Sequence, residues 1–403
     1  MPLNIVIDGN EANTKNRVGS NVYAFEVLRG LNALTRRRKD TNITVLLSSA
    51  PVADLPNERS NWIYKVVRPS FFSTQLAIPL YLFWHQKKYD VFFTPGHYAP
   101  KHCPIPYVSS VMDLAFLDFP EQFKKKDYLQ LKEWTRYSVK NAAKIIVISE
   151  STKVDVVEKY GRDPEDVVVA YPAVDQVQLK IDATRIKNPR RKYRLNENYL
   201  LFVGTLQPRK NLIRLIDAFE KLMRKIEVEA APHARGRGQR GRKKLLFELT
   251  GLQLVIAGKT GWLAGPILER IKKSPFRKNI ILTGYISSVE KASLIMHARA
   301  LILVGLYEGF GIPALEAMVL GTTPVVSNVS SLPEVVDGGG LLVDPENEDG
   351  IYQGLREVLT LSASERAVLA KNARRHTKSF SWHQTAKRVF RTLEHVAAKN
   401  KKS

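Results

Sequence analysis

Short apolar runs of strand length recur along this chain of 403 residues, separated by longer segments with helical spacing, and they fall into two series. The first series reads Asn4–Asp8, Ile43–Leu47, Ile63–Val67, Val91–Phe93, Tyr107–Val111 and Ile145–Ile148, closed by the run from Val167 to Pro172. The second reads Tyr199–Val203, Leu252–Ala257, Asn279–Thr283, Ala300–Val304, Thr323–Ser327 and Gly340–Val343. Helical patterns lie between them, from about Asn21 to Leu34 and over Tyr128–Asn141 in the first half. Strands alternating with helices predict an α/β fold with parallel sheets. Two series predict two doubly wound domains in tandem, with ligands beyond the carboxyl ends of the strands and a cleft where the sheets face each other.

The pattern lapses into a polar, basic stretch between Asp175 and Asn198, which sets the expected boundaries. A first domain should cover residues 1–175, a linker 176–198 and a second domain 199–375, with a terminal helix and basic tail over 376–403. In that last segment Ser381 is the expected N-cap, and Trp382, Ala386, Val389, Phe390, Leu393 and Val396 share one helical face suited to packing.

Composition narrows the classes. A single cysteine, Cys103, excludes an internal disulfide or a thiolate metal cluster and suits a reducing compartment. No apolar run approaches the ~18 residues needed to cross a bilayer. The opening Met1–Asp8 stretch has no basic flank and carries an acid, so no signal peptide is expected. Lys and Arg number 62 against 39 acids, a net charge of +23, and the densest basic stretch is residues 233–244, in an exposed, disordered loop expected over about 229–246 that interrupts a helix–strand pair. Without zinc-finger spacing or an aromatic RNA-binding strand, nucleic acid is not the expected partner. An anionic membrane surface is expected to be one if the substrate is lipid-linked.

The stretch that carries chemistry is Tyr307-Glu-Gly-Phe-Gly-Ile-Pro-Ala-Leu-Glu316. A strand ends near Gly305, a glycine turn follows, and Pro313 sits in a first helical turn. Gly309 and Gly311 are expected to adopt positive φ and let backbone approach a ligand, while the helix start offers N–H groups and a positive dipole end to an anion the size of a diphosphate. Glu308 and Glu316 flank this site. Carboxylates beside a phosphate site suit sugar or ribose hydroxyls, although taken alone either acid reads equally well as a solvated or dipole-favoured residue.

This block resembles the Glu-x7-Glu signature of retaining glycosyltransferases of family 4, which have the GT-B architecture, and in particular their bacterial mannosyltransferase-like branch. Phe202–Leu212, Leu254–Trp262, Thr283–Ile286, Ser330–Val336, Gly340–Pro345, Met112–Glu121 and Ile148–Thr152 carry the same resemblance in family order. It implies a hexosyltransferase taking sugar, mannose by first choice, from a nucleoside diphosphate donor, GDP-mannose by first choice, without a metal or other cofactor. The acceptor would be a hydroxyl of a saccharide or lipid-linked saccharide, and the location the cytoplasm, with peripheral contact on the membrane's cytoplasmic face. The alternatives are a UDP-sugar-dependent glucosyl or N-acetylglucosaminyl transferase, another sugar-nucleotide enzyme of the same fold, or a non-catalytic nucleotide-sugar-binding partner in polysaccharide assembly.

Carried onto this sequence, the resemblance gives Glu308, Lys210 and Asp113 catalytic roles. Glu308 would hold hydroxyls of the transferred sugar and Lys210 would neutralise the diphosphate. Glu316 would accept from the ribose, the amides of Phe310 and Gly311 would meet phosphate or sugar, and Ile286 would face the base. Gly309, Thr205, Gly258 and, in the first domain, Gly19 would complete the donor contacts, and His97 would lie near the acceptor pocket with Asp113, although it reads equally well as a loop histidine bonded to backbone. Two positions depart from the family pattern. Thr205 stands where relatives have an arginine, so Arg209 is expected to supply that charge. Met112 stands where they have a histidine before the aspartate, and methionine can neither shuttle a proton nor donate to a hydroxyl.

Overall fold

The structure, a computed structural model, describes residues 2–96, 98–186, 189–230 and 249–401. His97 and the basic stretch 233–244 lie outside the described residues. The chain forms two compact units, Met1–Ala173 with Phe380–Ser403, and Val174–Ser379.

Among its described residues the first unit holds seven parallel strands, β1 (Leu3–Asp8), β2 (Thr41–Leu47), β3 (Trp62–Val66), β4 (Val91–Thr94), β5 (Tyr107–Val111), β6 (Lys144–Val147) and β7 (Val167–Val169). They lie in the order β3-β2-β1-β4-β5-β6-β7, all paired parallel. Among its described residues the second unit holds six, β8 (Tyr199–Val203), β9 (Gln253–Ala257), β10 (Ile280–Gly284), β11 (Ala300–Leu303), β12 (Pro324–Ser327) and β13 (Leu341–Val343), in the order β10-β9-β8-β11-β12-β13. Both orders reverse direction beside their first strand, which is the doubly wound arrangement with its ligand-binding switch point. β4 and β11, in the middle of their sheets, are buried along their whole length because helices cover both faces. The sheet-edge strands β3 and β10 keep exposed positions.

Helices α1 (Ser20–Thr35) and α2 (Ala77–His85) follow β1 and β3, and α3 (Gln176–Arg185) opens the second unit. There α4 (Leu212–Ala230), α5 (Ser288–His297) and α6 (Ile312–Leu320) alternate with the strands. The last helix, α7 (Trp382–Asn400), returns to the first unit and lies on α1. A Cβ on Gly30 of α1 would come within 2.4 Å of the Ala386 Cβ, so the glycine is what lets the two helices meet so closely.

Two boundaries differ from expectation. Residues 176–198 are no linker: α3 and a short helix, Pro189–Tyr193, pack on α5, and Tyr193 donates to Glu290 at 3.0 Å. Their polar faces disguise a small buried stripe, Leu179 and Ala183, which settles against Ala292. The terminal helix expected within 376–403 is α7, but the segment does not begin at 376. His376 closes a helix of the second unit, and from Phe380 the chain belongs to the first, where Ala386, Val389, Leu393 and Val396 are buried. Ser381 is the N-cap residue of α7, though its side chain makes no capping hydrogen bond.

Candidate active site

Two loops at the carboxyl ends of β8 and β11 build the centre of the second unit. The first runs through a 3-10 turn, Pro208–Lys210, to Asn211, which takes left-handed φ of 58° and starts α4. Asn211 is buried and donates from Nδ2 to the carbonyls of Val304 (3.0 Å) and Pro345 (2.7 Å), so its amide fastens three segments together. The second loop runs from Val304 to Gly311. Leu306 N donates to the Arg209 carbonyl at 2.9 Å, and Arg209 Nη1 donates to the Tyr307 carbonyl at 2.8 Å. The crossing is close: a Cβ at Gly305 would stand 3.2 Å from the Arg209 oxygen and would push the two loops apart by a few tenths of an ångström.

The two loops thereby bring Lys210 onto Glu308. Lys210 Nζ donates to Glu308 Oε1 at 2.6 Å, with both side chains mostly withdrawn from solvent. Glu308 is held from behind as well. Its N–H donates to Ser330 Oγ (2.9 Å) and its carbonyl accepts from Ser331 Oγ (2.8 Å). A carboxylate fixed through its own backbone and a shared lysine loses little further entropy on gripping a ligand.

Beyond Glu308 the glycine turn is buried, and Gly311 caps α6 with φ of 97°. Gly309 does not share that conformation, so of the two glycines expected at positive φ only Gly311 needs it. Any Cβ at Gly311 would also press within 2.6 Å of Leu332. Pro313 falls in the first turn of α6, whose leading N–H groups and dipole favour an anion.

Glu316 lies one turn into α6 and is only 6% exposed. Its Oε1 accepts from Lys291 Nζ of α5 at 2.5 Å, and its Oε2 is buried with no hydrogen-bond partner among the described residues. An orphaned buried carboxylate oxygen costs about 1–3 kcal/mol, so it marks a place where a donor is wanted. Lys291 was not foreseen. It is one of several lysines in the chain, and only the crossing of α5 over α6 sets it apart.

The remaining expected residues divide. Thr205 is half-buried in the loop after β8, and its neighbour Leu206 donates to the Lys259 carbonyl at 2.9 Å. Gly258 has a packing reason of its own, because a Cβ would lie 1.9 Å from the Gly204 oxygen. Ile286 is buried just ahead of Ser287, which forms a capping box with Glu290 at the start of α5. Gly19 and Asp113 belong to the first unit. Gly19 caps α1 with φ of 53°, and Asp113 follows β5 and accepts from Ala115 N at 3.1 Å. Met112 is buried, so it serves the core of that unit. The first unit adds an acid that was not singled out, Asp8 at the carboxyl end of β1. Burial pushes its carboxyl up to about 6, against hydrogen bonds from the backbone (3.0 Å) and side chain (2.7 Å) of Asn10. No described helix is long and apolar enough to cross a membrane.

Comparison with known proteins bears on the family and the fold. Residues 185–376 match the family described as "Glycosyl transferases group 1", and residues 19–178 match "Glycosyltransferase Family 4". The chain is 25% identical over 302 residues to an O-antigen chain mannosyltransferase B of Escherichia coli, covering 74% of this chain and 73% of that one. It is 28% identical over 292 residues to the serotype-specific mannosyltransferase WbdA of Escherichia coli, covering 71% of this chain but only 32% of that one. Among solved structures, Anabaena HepE in complex with UDP-glucose superposes with a TM-score of 0.66 at 16% identity, covering 98% of this chain and all of the other. With both halves matched in family order on two doubly wound sheets, the chain belongs to the family 4 glycosyltransferases and is a hexosyltransferase of GT-B architecture.

Proposed function

We propose that this enzyme moves mannose from GDP-mannose to a hydroxyl of a saccharide or lipid-linked saccharide, with retention at the anomeric carbon and without a metal or other cofactor, working peripherally on the cytoplasmic face of a membrane. The observation that carries the donor assignment is Glu316. Its Oε1 is answered by Lys291, while the buried Oε2 has no donor among the described residues, and a ribose hydroxyl would supply one. Mannose as the sugar is supported by the mannosyltransferase relatives, and a nucleotide sugar by the HepE complex with UDP-glucose.

In the reaction the bond from the anomeric carbon to the leaving phosphate oxygen breaks. The acceptor oxygen bonds the same carbon from the same face, and its proton passes to that phosphate oxygen. Charge builds on the departing diphosphate. Lys210, Arg209 and the first N–H groups of α6 offset it, and because the charge is largest in the transition state they lower the barrier rather than only binding substrate. Glu308, pinned by Ser330, Ser331 and Lys210, orients the sugar through its hydroxyls.

The test is donor turnover by purified protein with GDP-mannose, UDP-glucose and UDP-N-acetylglucosamine, with the anomeric configuration of the product read by NMR. Mannosyl transfer with retention, lost in Glu316→Ala and in Lys210→Ala, is expected. Full activity in both variants would overturn the site, and turnover confined to a UDP-sugar would overturn the donor.

A further inference from the structure

Between β3 and β4 the first unit exposes an unusual amount of aromatic surface. Phe71 and Phe72 are 67% and 69% exposed, and Phe83 and Trp84 are 57% and 77% exposed. Helix α2, AIPLYLFWH, carries no formally charged side chain on any face. One side, Ala77, Ile78 and Leu82, is buried in the core of the unit. The other, Leu76, Leu80, Phe83 and Trp84, repeats at intervals of four, three and one along the helix and faces solvent. A helix apolar all round is made to be covered on both sides.

The exposure is built in. The loop ahead of α2 is tied down by its polar groups: Gln75 Nε2 donates to the Ala99 carbonyl (3.3 Å), Lys101 N donates to Gln75 Oε1 (3.0 Å), and the Thr74 side chain hydrogen-bonds Asp8. Phe72, with φ of 52°, holds a backbone conformation that bulky residues rarely adopt. These ties keep the rings of Phe71 and Phe72 outside. They also fix the patch to the carboxyl end of β1, the end of the sheet where a doubly wound unit meets its ligands.

Charge decides what covers it. From Arg59 to Tyr89 the chain has no Asp or Glu, and Lys65, Arg68, Lys87 and Lys88 are exposed around the aromatic residues. A second copy of this chain would set those cations, and a net charge of +23, against their own kind. A bilayer with anionic headgroups answers both features, because Trp and Phe rings settle at the headgroup boundary while lysines meet phosphates.

We propose that Phe71, Phe72, Phe83 and Trp84, with Lys87 and Lys88, form the surface by which this chain docks on an anionic bilayer. The proposal rests on the peripheral membrane reading above but not on the identity of the donor. The full chain would be sedimented with phosphatidylcholine vesicles with and without 30 mol% phosphatidylglycerol, alongside Phe83→Ser/Trp84→Ser and Lys87→Glu/Lys88→Glu variants. Nucleoside diphosphate affinity and solution mass would be measured on the same samples.

The wild type is expected to bind the anionic vesicles. Both variants should bind at least tenfold more weakly with nucleotide affinity unchanged, and the wild-type binding should weaken with added salt. If the serine variant fails to fold, the glutamate variant, altered only at exposed lysines, carries the same test. Anionic-vesicle binding equal to wild type in the variants would overturn this surface. Absence of wild-type binding would overturn the peripheral reading with it. A wild-type dimer that becomes monomeric in the serine variant, with vesicle binding unchanged, would assign the face to a second copy instead and overturn the proposal.

Discussion

The two units lay parallel strands in closely related orders, yet their strand ends are dressed with opposite chemistry. In the second unit each key carboxylate is matched by a lysine from another element: Glu308 by Lys210, Glu316 by Lys291. In the first unit Asp8 is met by Asn10 and Thr74, and Asp113 by the backbone of Ala115. Paired cations and carboxylates suit a ligand that is itself an anion with hydroxyls attached. Acids met by neutral groups suit a ligand that brings hydroxyls and no phosphate. On the proposed function, the same scaffold would separate donor chemistry from acceptor chemistry by which residues top its strands.

The sharpest way to break this contrast is at Lys210. Lys210→Ala should lower kcat by about 100- to 1,000-fold, the cost typical of losing one preorganised group that stabilises transition-state charge. Steady-state transfer assays check it, and a change in KM alone would reduce Lys210 to a binding residue.

A packing test separates fold from chemistry in the second unit. Gly258→Ala must displace the Gly204 carbonyl and should destabilise by about 3 kcal/mol, read as a lower apparent Tm. An unchanged Tm would mean that the β8 and β9 ends are looser than their contacts imply.

The first unit is probed by pH. The Asp8 carboxyl rises from an ordinary 3.8 to about 6 on folding, so its protonated form is the favoured one inside. Its contribution is fully present below about pH 4 and is lost as pH rises through about 6, on the order of 2–3 kcal/mol in all. Asp8→Asn should therefore have a higher Tm than the wild type at pH 7.5, with the gap closing near pH 4. A gap independent of pH would show that Asp8 is not held by burial. In the second unit Lys291→Met should weaken nucleoside diphosphate binding about tenfold, near 1.4 kcal/mol, with kcat little changed. A lower Tm with unchanged affinity would make Lys291 a structural residue only.

Strand positions were legible because apolar runs of that length, repeated between helical segments, admit few other folds. The Glu308–Glu316 block was legible because glycine, proline and acid at fixed spacing encode a strand–turn–helix. What stayed hidden depends on contacts across the chain. Lys291 meets Glu316 only because α5 and α6 pack side by side, and no local pattern distinguishes it. Asn211 carries no local mark of its role, yet it reaches carbonyls at Val304 and Pro345. Residues 176–198 read as a linker because Leu179 and Ala183 are too few apolar positions to stand out among basic ones. The return of α7 to the first unit is likewise a property of the folded chain, since its amphipathic face says that it packs but not on what.

The central claim, that Glu316 grips the ribose of a nucleotide donor, is tested most directly by calorimetry with ligands that differ only in those hydroxyls. GDP and its 2′,3′-dideoxy analogue would be titrated into the wild type and into Glu316→Gln. The wild type should prefer the ribose form by at least tenfold, and the variant should lose most of that preference while still binding the diphosphate. Equal discrimination by both proteins would contradict the account.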